Sequence, residues 1–127
     1  MSIRMRFAAF ALVLTTNTVL AGKADVQNVK IHTGGGNSWT FRVTVRHADE
    51  GWEHYADRWE ILSNDGQILS TRILAHPHVN EQPFTRSLSG TSIPQNITSI
   101  TIRAHDKLHG YGGKTMTLPW PPVTPHP

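Results

Sequence analysis

The feature that most constrains this chain is an alternation of apolar and polar residues with a period of two. In Trp39-Thr-Phe-Arg-Val-Thr-Val-Arg46, Trp39, Phe41, Val43 and Val45 share one side, and Thr40, Arg42, Thr44 and Arg46 share the other. Successive side chains of a strand point to opposite faces, whereas a helix would repeat every three to four residues. The same pattern recurs. Val29 and Ile31 mark a strand over 26–32, Trp59 and Ile61 one over 57–63, and Leu69 and Ile73 one over 67–75. Phe84 and Leu88 mark one over 84–89, Ile100, Ile102 and Ala104 one over 97–104, and Met116 and Leu118 one over 114–119. Turn formers separate them, among them Thr33-Gly-Gly-Gly-Asn37 and the hairpin signal Ser63-Asn-Asp-Gly66. Seven short strands without a helical stretch predict an all-β domain, a seven-stranded immunoglobulin- or fibronectin-like β-sandwich.

The ends of the chain read differently. Arg4 and Arg6, the apolar run Phe7–Leu14 and the small residues Val19 and Ala21 compose a secretory signal peptide over 1–21, with cleavage before Gly22. The run is too short to span a bilayer as a helix. The sandwich then occupies 22–118, and 119–127, with five prolines, forms an extended tail. Export places the processed domain in the periplasm or outside the cell. Losing Arg4 and Arg6 takes the balance from 12 Lys+Arg against 9 Asp+Glu to ten against nine, without a basic run, which argues against nucleic acid as a partner. The absence of cysteine excludes thiolate metal sites, thiol catalysis and a lipid anchor built on an N-terminal cysteine, so no membrane anchor is expected.

Chemistry concentrates in histidine. The connections after strands one, three and five hold Gly, Ser, Asn and Thr but no His. Those after strands two, four and six are His47–Tyr55, His76–Glu81 and His105–Tyr111, and they hold His47, His54, His76, His78, His105 and His109. Successive loops of an antiparallel sandwich alternate between its ends, so all six should meet at one pole. Imidazoles with neighbouring carboxylates suit a transition metal, with zinc or copper favoured and iron possible. The expected ligands are His47, His54, His76, His78 and His109, with Asp106 as an oxygen donor. His105 has the outward parity of Thr101 and Arg103 and ranks as an extra ligand or a support. Glu50 and Glu81 are candidates to orient imidazoles, to act as a base or to serve as extra ligands. Four ligands close a typical site, so six histidines cannot all bind one ion.

Blander readings stand beside this one. Trp52, Tyr55, Trp59 and Phe84 fit packing, and Arg46, Arg72, Arg86 and Arg103 fit solvated or ion-paired sheet faces. A histidine cluster also serves as a pH sensor or a partner-binding surface. The sequence argues against a Ser-His-Asp hydrolase, since no Gly-x-Ser-x-Gly elbow occurs and no serine lies in the histidine loops.

The runs His47-Ala-Asp-Glu-Gly-Trp-Glu-His-Tyr-Ala-Asp57, His76-Pro-His-Val-Asn-Glu-Gln-Pro-Phe84 and Arg103-Ala-His-Asp-Lys-Leu-His-Gly110 resemble a family of small, uncharacterised exported bacterial proteins. That likeness implies no activity. His47, His54-Tyr55, Trp59 and Asp106-Lys-Leu-His109-Gly110 also resemble the iron-site loops of superoxide reductases of the desulfoferrodoxin type. This second resemblance implies His47, His54 and His109 as ligands and places Asp106 where those proteins carry an axial cysteine. It departs from them in having no thiolate, a longer first loop and no earlier Glu-Lys-His. The expected role is binding: holding zinc or copper, or exchanging it with a periplasmic donor or acceptor protein. A metal-dependent oxidoreductase and a non-metal interaction module are the alternatives.

Overall fold

The structure, a computed structural model, describes residues 22–122. Seven strands occur in this span: β1 (Asp25–Thr33), β2 (Trp39–Arg46), β3 (Ala56–Leu62), β4 (Ile68–Ile73), β5 (Phe84–Thr91), β6 (Ser99–Asp106) and β7 (Met116–Pro119). No helix is present among the described residues. The strands form two antiparallel sheets, ordered β1-β2-β5 and β4-β3-β6-β7.

Alternation sets which side chains are buried. Phe41, Val43 and Val45 of β2, Trp59 and Ile61 of β3, and Ile100, Ile102 and Ala104 of β6 join Val26 and Phe84 in one core fed by both sheets. Burying a side chain of this size contributes about 1.5–3 kcal/mol. Trp120 belongs to this packing too. Its ring lies edge-on to Trp39 at 4.7 Å and parallel to Phe41 at 5.9 Å, and its backbone N–H donates to Thr98 at 2.9 Å. The proline-rich end is therefore packed at least to this residue. Residues 1–21 and 123–127, where the leader and the end of the tail fall, lie outside the described residues.

Strand β6 starts and ends two residues later than the alternation suggests. It runs through His105 to Asp106, because Asp106 still pairs with Ala56 of β3. Asp106 thus sits on the sheet rather than in a loop, and its side chain is fully buried.

On the other side of β3, Glu60 carries a polar network. Its carboxylate accepts from Arg103 at 2.8 Å, Arg58 at 3.0 Å and the Tyr111 hydroxyl at 3.0 Å. Burial opposes its charge, but the Arg103 and Arg58 guanidiniums and Tyr111 prevail and hold its pKa below the ordinary glutamate value. Arg103 also lies 3.7 Å from the Tyr111 ring centroid. The network ties the loop between β6 and β7 to the sheet.

The segment before β1 is fixed by a close backbone approach. Ala24 is buried, and a Cβ on Gly113 would stand 1.9 Å from the Ala24 carbonyl oxygen. Lys114 N–H donates to Asp25 Oδ1 at 2.7 Å, and Val26 N–H donates to Lys114 O at 2.8 Å. A side chain at 113 must push this segment aside. We expect Gly113→Ala to destabilise the fold by about 1–3 kcal/mol, the usual cost of overpacking, measurable by denaturant unfolding.

Candidate metal centre

The cluster forms where the β2–β3 loop, the end of β6 and the segment before β1 meet. His47 follows the last residue of β2 and continues the inward parity of Val43 and Val45, so its ring enters beneath the loops. His54 closes a tight turn in which Glu50 N–H donates to His54 O at 2.8 Å and His54 N–H donates to Gly51 O at 3.2 Å. Gly51 takes φ 121°, a conformation that side chains resist. After Asp106 the chain turns within four residues. Asp106 Oδ1 accepts the backbone N–H groups of Leu108 at 2.6 Å and His109 at 3.1 Å, an Asx turn that returns His109 over the carboxylate. Lys107 N–H donates to Tyr55 O at 3.0 Å and locks the two loops together.

Three imidazole nitrogens converge on one carboxylate oxygen. Asp106 Oδ2 lies 3.2 Å from His47 Nε2, 3.3 Å from His54 Nε2 and 3.0 Å from His109 Nδ1. The carbonyl oxygen of Gly22 lies 3.1 Å from His47 Nε2 and 3.4 Å from His54 Nε2. Potential ligand atoms of His47, His54 and Asp106 lie within 4.8 Å of one another. Bonds of ~2.0–2.1 Å to a tetrahedral ion place its ligand atoms ~3.3 Å apart, and the spacings from Asp106 Oδ2 to the three nitrogens are of that size.

The far ring nitrogens are also held. His47 Nδ1 donates to Asp49 Oδ1 at 2.5 Å, and His54 Nδ1 donates to Glu50 Oε1 at 2.6 Å. Asp49 is itself fixed by the N–H groups of Ala56 at 3.0 Å and His78 at 2.6 Å. A carboxylate on Nδ1 keeps the proton there and presents the Nε2 lone pair inward.

Electrostatics follow from this geometry. Burial works against the His47 cation, but the Asp49 hydrogen bond and the Asp106 charge outweigh it and raise the pKa above the ordinary 6.5. His54 is raised as well: its partial burial is overcome by Glu50, the Gly22 carbonyl and Asp106. Burial also disfavours the Asp106 anion, yet the His109 and Leu108 N–H groups and the His109 ring bring its pKa down to about 2. Asp49 is lowered in the same way, its desolvation overcome by His47 and two backbone donors.

The expected site residues thus separate. His47, His54, His109 and Asp106 come together, and Glu50 supports His54 as an orienting carboxylate. His78 packs its ring flat on Phe84 at 3.9 Å, and its Nε2 accepts from Arg86 at 2.9 Å. His76 lies tilted against His78 with ring centroids 4.7 Å apart, and Glu81 faces Arg86 at 3.3 Å. The structure does not bring these three to the cluster. His78 serves it through its backbone N–H on Asp49. His105 donates from Nδ1 to Asp57 at 2.6 Å and lies against Tyr111 on the outward face, as its parity predicts. Two contributors escape a reading of the sequence: Asp49, signalled only by its spacing of two from His47, and the Gly22 carbonyl, which has no side chain to signal it. We expect His76→Ala to leave the affinity for zinc or copper unchanged and His54→Ala to abolish tight binding, as titration calorimetry would show.

Comparison with known proteins adds a relative but no activity. A protein of Halomicrobium mukohataei (strain ATCC 700874 / DSM 12286 / JCM 9738 / NCIMB 13541) described as "Putative lipoprotein" is 38% identical over 96 residues, covering 76% of this chain and 47% of its own length. The chain therefore spans about half of that relative. No family model matches the chain. No solved structure matches it, so the likeness to superoxide reductases rests on loop residues alone. The printed description of that relative names no activity.

Proposed function

We propose that this protein binds a single transition-metal ion, zinc or copper in first place, outside the cytoplasm, and holds it or passes it to a partner protein. The observation that carries this reading is the convergence of imidazole nitrogens on the Asp106 carboxylate and the Gly22 carbonyl. With Nδ1–H donating to Asp49 and Glu50, the neutral imidazoles of His47 and His54 aim Nε2 lone pairs at Asp106 Oδ2 and Gly22 O. Acceptors facing acceptors repel one another unless a cation lies between them. Protons on the imidazoles are one solution and a metal ion is the other. Imidazole nitrogens with one carboxylate oxygen suit a borderline ion such as zinc or copper(II), and iron(II) fits the same donors.

Accessibility supports exchange. The side chains of His47 and Asp106 are shut off from solvent, while that of His109 is 38% exposed, which leaves one open flank. An ion enters and leaves there without unfolding the sandwich. The same flank would admit an exchangeable water, which favours as second reading a metal-dependent oxidoreductase of superoxide-reductase type. The strand order, three strands facing four, we read as that of a fibronectin-type sandwich, and export as the work of residues 1–21. Titration of the metal-free protein with zinc and copper(II) tests the main reading. One ion per chain, lost in a His47→Ala/His54→Ala double variant, is the expected result; no binding of either ion would overturn it.

A further inference from the structure

Gly22 holds a position that the histidine loops alone do not explain. Its carbonyl oxygen is as close to His47 Nε2, at 3.1 Å, as Asp106 Oδ2 is at 3.2 Å. A Cβ built on it would stand 3.6–3.7 Å from three ring atoms of His109, so that ring faces Gly22 at the distance of ordinary contact for a side chain there. Three imidazoles therefore surround one backbone unit. The unit is not there by slack. The buried Ala24, the Lys114 hydrogen bonds to Asp25 and Val26, and the side-chain-free approach of Gly113 fix the segment on the sheet.

Gly22 is also the residue that leader removal before it would turn into the amino terminus. A leader peptidase would hydrolyse the Ala21–Gly22 bond, the hydroxyl of water going to the Ala21 carbonyl carbon and the proton to the Gly22 nitrogen. Before that step the nitrogen is an amide, whose lone pair is delocalised into the carbonyl. Afterwards it is an amine with an ordinary pKa of about 7.7–8.0, and it can yield a proton to a metal near neutral pH. The amine and carbonyl oxygen of one residue close a five-membered chelate ring on a single ion.

Resting on the metal-binding reading above, we propose that Gly22 completes the centre as a chelating amino terminus, so that tight metal binding begins with leader removal. His47, His54, His109 and Asp106 supply side-chain donors, and the processed terminus supplies an amine nitrogen together with the carbonyl oxygen already in place. The unprocessed chain would then be a weak binder, and an ion would be captured only after export.

The test uses the exported, processed protein, its amino terminus read by mass spectrometry and its metal removed. Half is acetylated at a pH near 6.5, where the α-amine reacts ahead of lysines whose pKa is about 10.4. Both halves are titrated with copper(II) and melted without metal. Loss of a supporting group typically costs 10–100-fold in metal affinity, so loss of a direct donor should cost at least about 100-fold. Equal affinity before and after acetylation would overturn the proposal and leave the metal site standing. No binding by either half would overturn both. A second measurement leaves the chain unaltered: the paramagnetic resonance spectrum of the copper(II) protein made with nitrogen-15 glycine. A changed nitrogen hyperfine pattern is expected, and a spectrum identical to that of the unlabelled protein would refute an amine ligand. An amino terminus found at a residue other than Gly22 would refute it as well.

Discussion

Asp106→Asn should lower affinity for zinc or copper(II) by at least about 100-fold, since even loss of a supporting group can cost that much. The exchange is nearly isosteric. The amide oxygen can still accept the Leu108 and His109 N–H groups that Oδ1 accepts at 2.6 and 3.1 Å, so the Asx turn survives. The change falls on Oδ2, which faces His47 Nε2, His54 Nε2 and His109 Nδ1 at 3.0–3.3 Å. An NH₂ group there donates to the imidazole nitrogens and occupies the lone pairs a metal needs. The pKa values of His47 and His54 should also be lower in the metal-free variant than in the metal-free parent, since the Asp106 charge is one of the causes that raise them, beside Asp49 and Glu50. Calorimetric titration and the chemical shifts of the imidazole protons across pH would report the two effects separately.

Metal should stabilise the fold, and by an amount that grows with pH. In the metal-free protein the pKa values of His47 and His54 are raised above 6.5. Their contribution to stability is fully present below 6.5 and is lost as pH rises through the raised values. Asp106 has the opposite sign. Held at about 2 against 3.8, it contributes above 3.8 and loses that contribution as pH falls through 2. The metal-free protein is therefore expected to be most stable in weakly acid solution and to weaken above neutrality. A metal needs the deprotonated imidazoles, so it binds best where the protons leave. Free ion at 100 times Kd adds about 2.7 kcal/mol, and a domain of this size gains about 4–8 °C per kcal/mol. Melting curves at alkaline pH should thus rise by roughly 10–20 °C with zinc, return with chelator, and show a smaller rise at pH near 5.5. A shift that shrinks as pH increases would contradict the account.

Much of this architecture is legible in the chain because both of its signals are one-dimensional. Alternation around Phe41, Val43, Trp59, Ile61, Ile100 and Ile102 depends only on the two faces of a strand, and these residues form the core. The histidine pole depends only on loops alternating between ends. What alternation cannot show is where a loop side chain turns. His76 and His78 are on the expected connection, but a flat aromatic surface, Phe84, and a guanidinium, Arg86, hold the His78 ring away from the cluster around Asp106. Asp106 was expected in a loop and lies on β6, because pairing with Ala56 extends the strand past the last apolar residue. Asp49 is recognisable only once His47 is known to point inward. The Gly22 carbonyl depends on a tertiary contact, Gly113 against Ala24, that no local pattern encodes.

The most direct measurement is elemental analysis of the untagged, exported protein purified without chelator, beside the same protein carrying His47→Ala and His109→Ala. The account predicts close to one zinc or copper ion per chain, absent from the variant. A protein without zinc, copper or iron that takes up none of them on titration would contradict it, and the converging imidazoles would then be a protonated, partner-binding surface around Asp106.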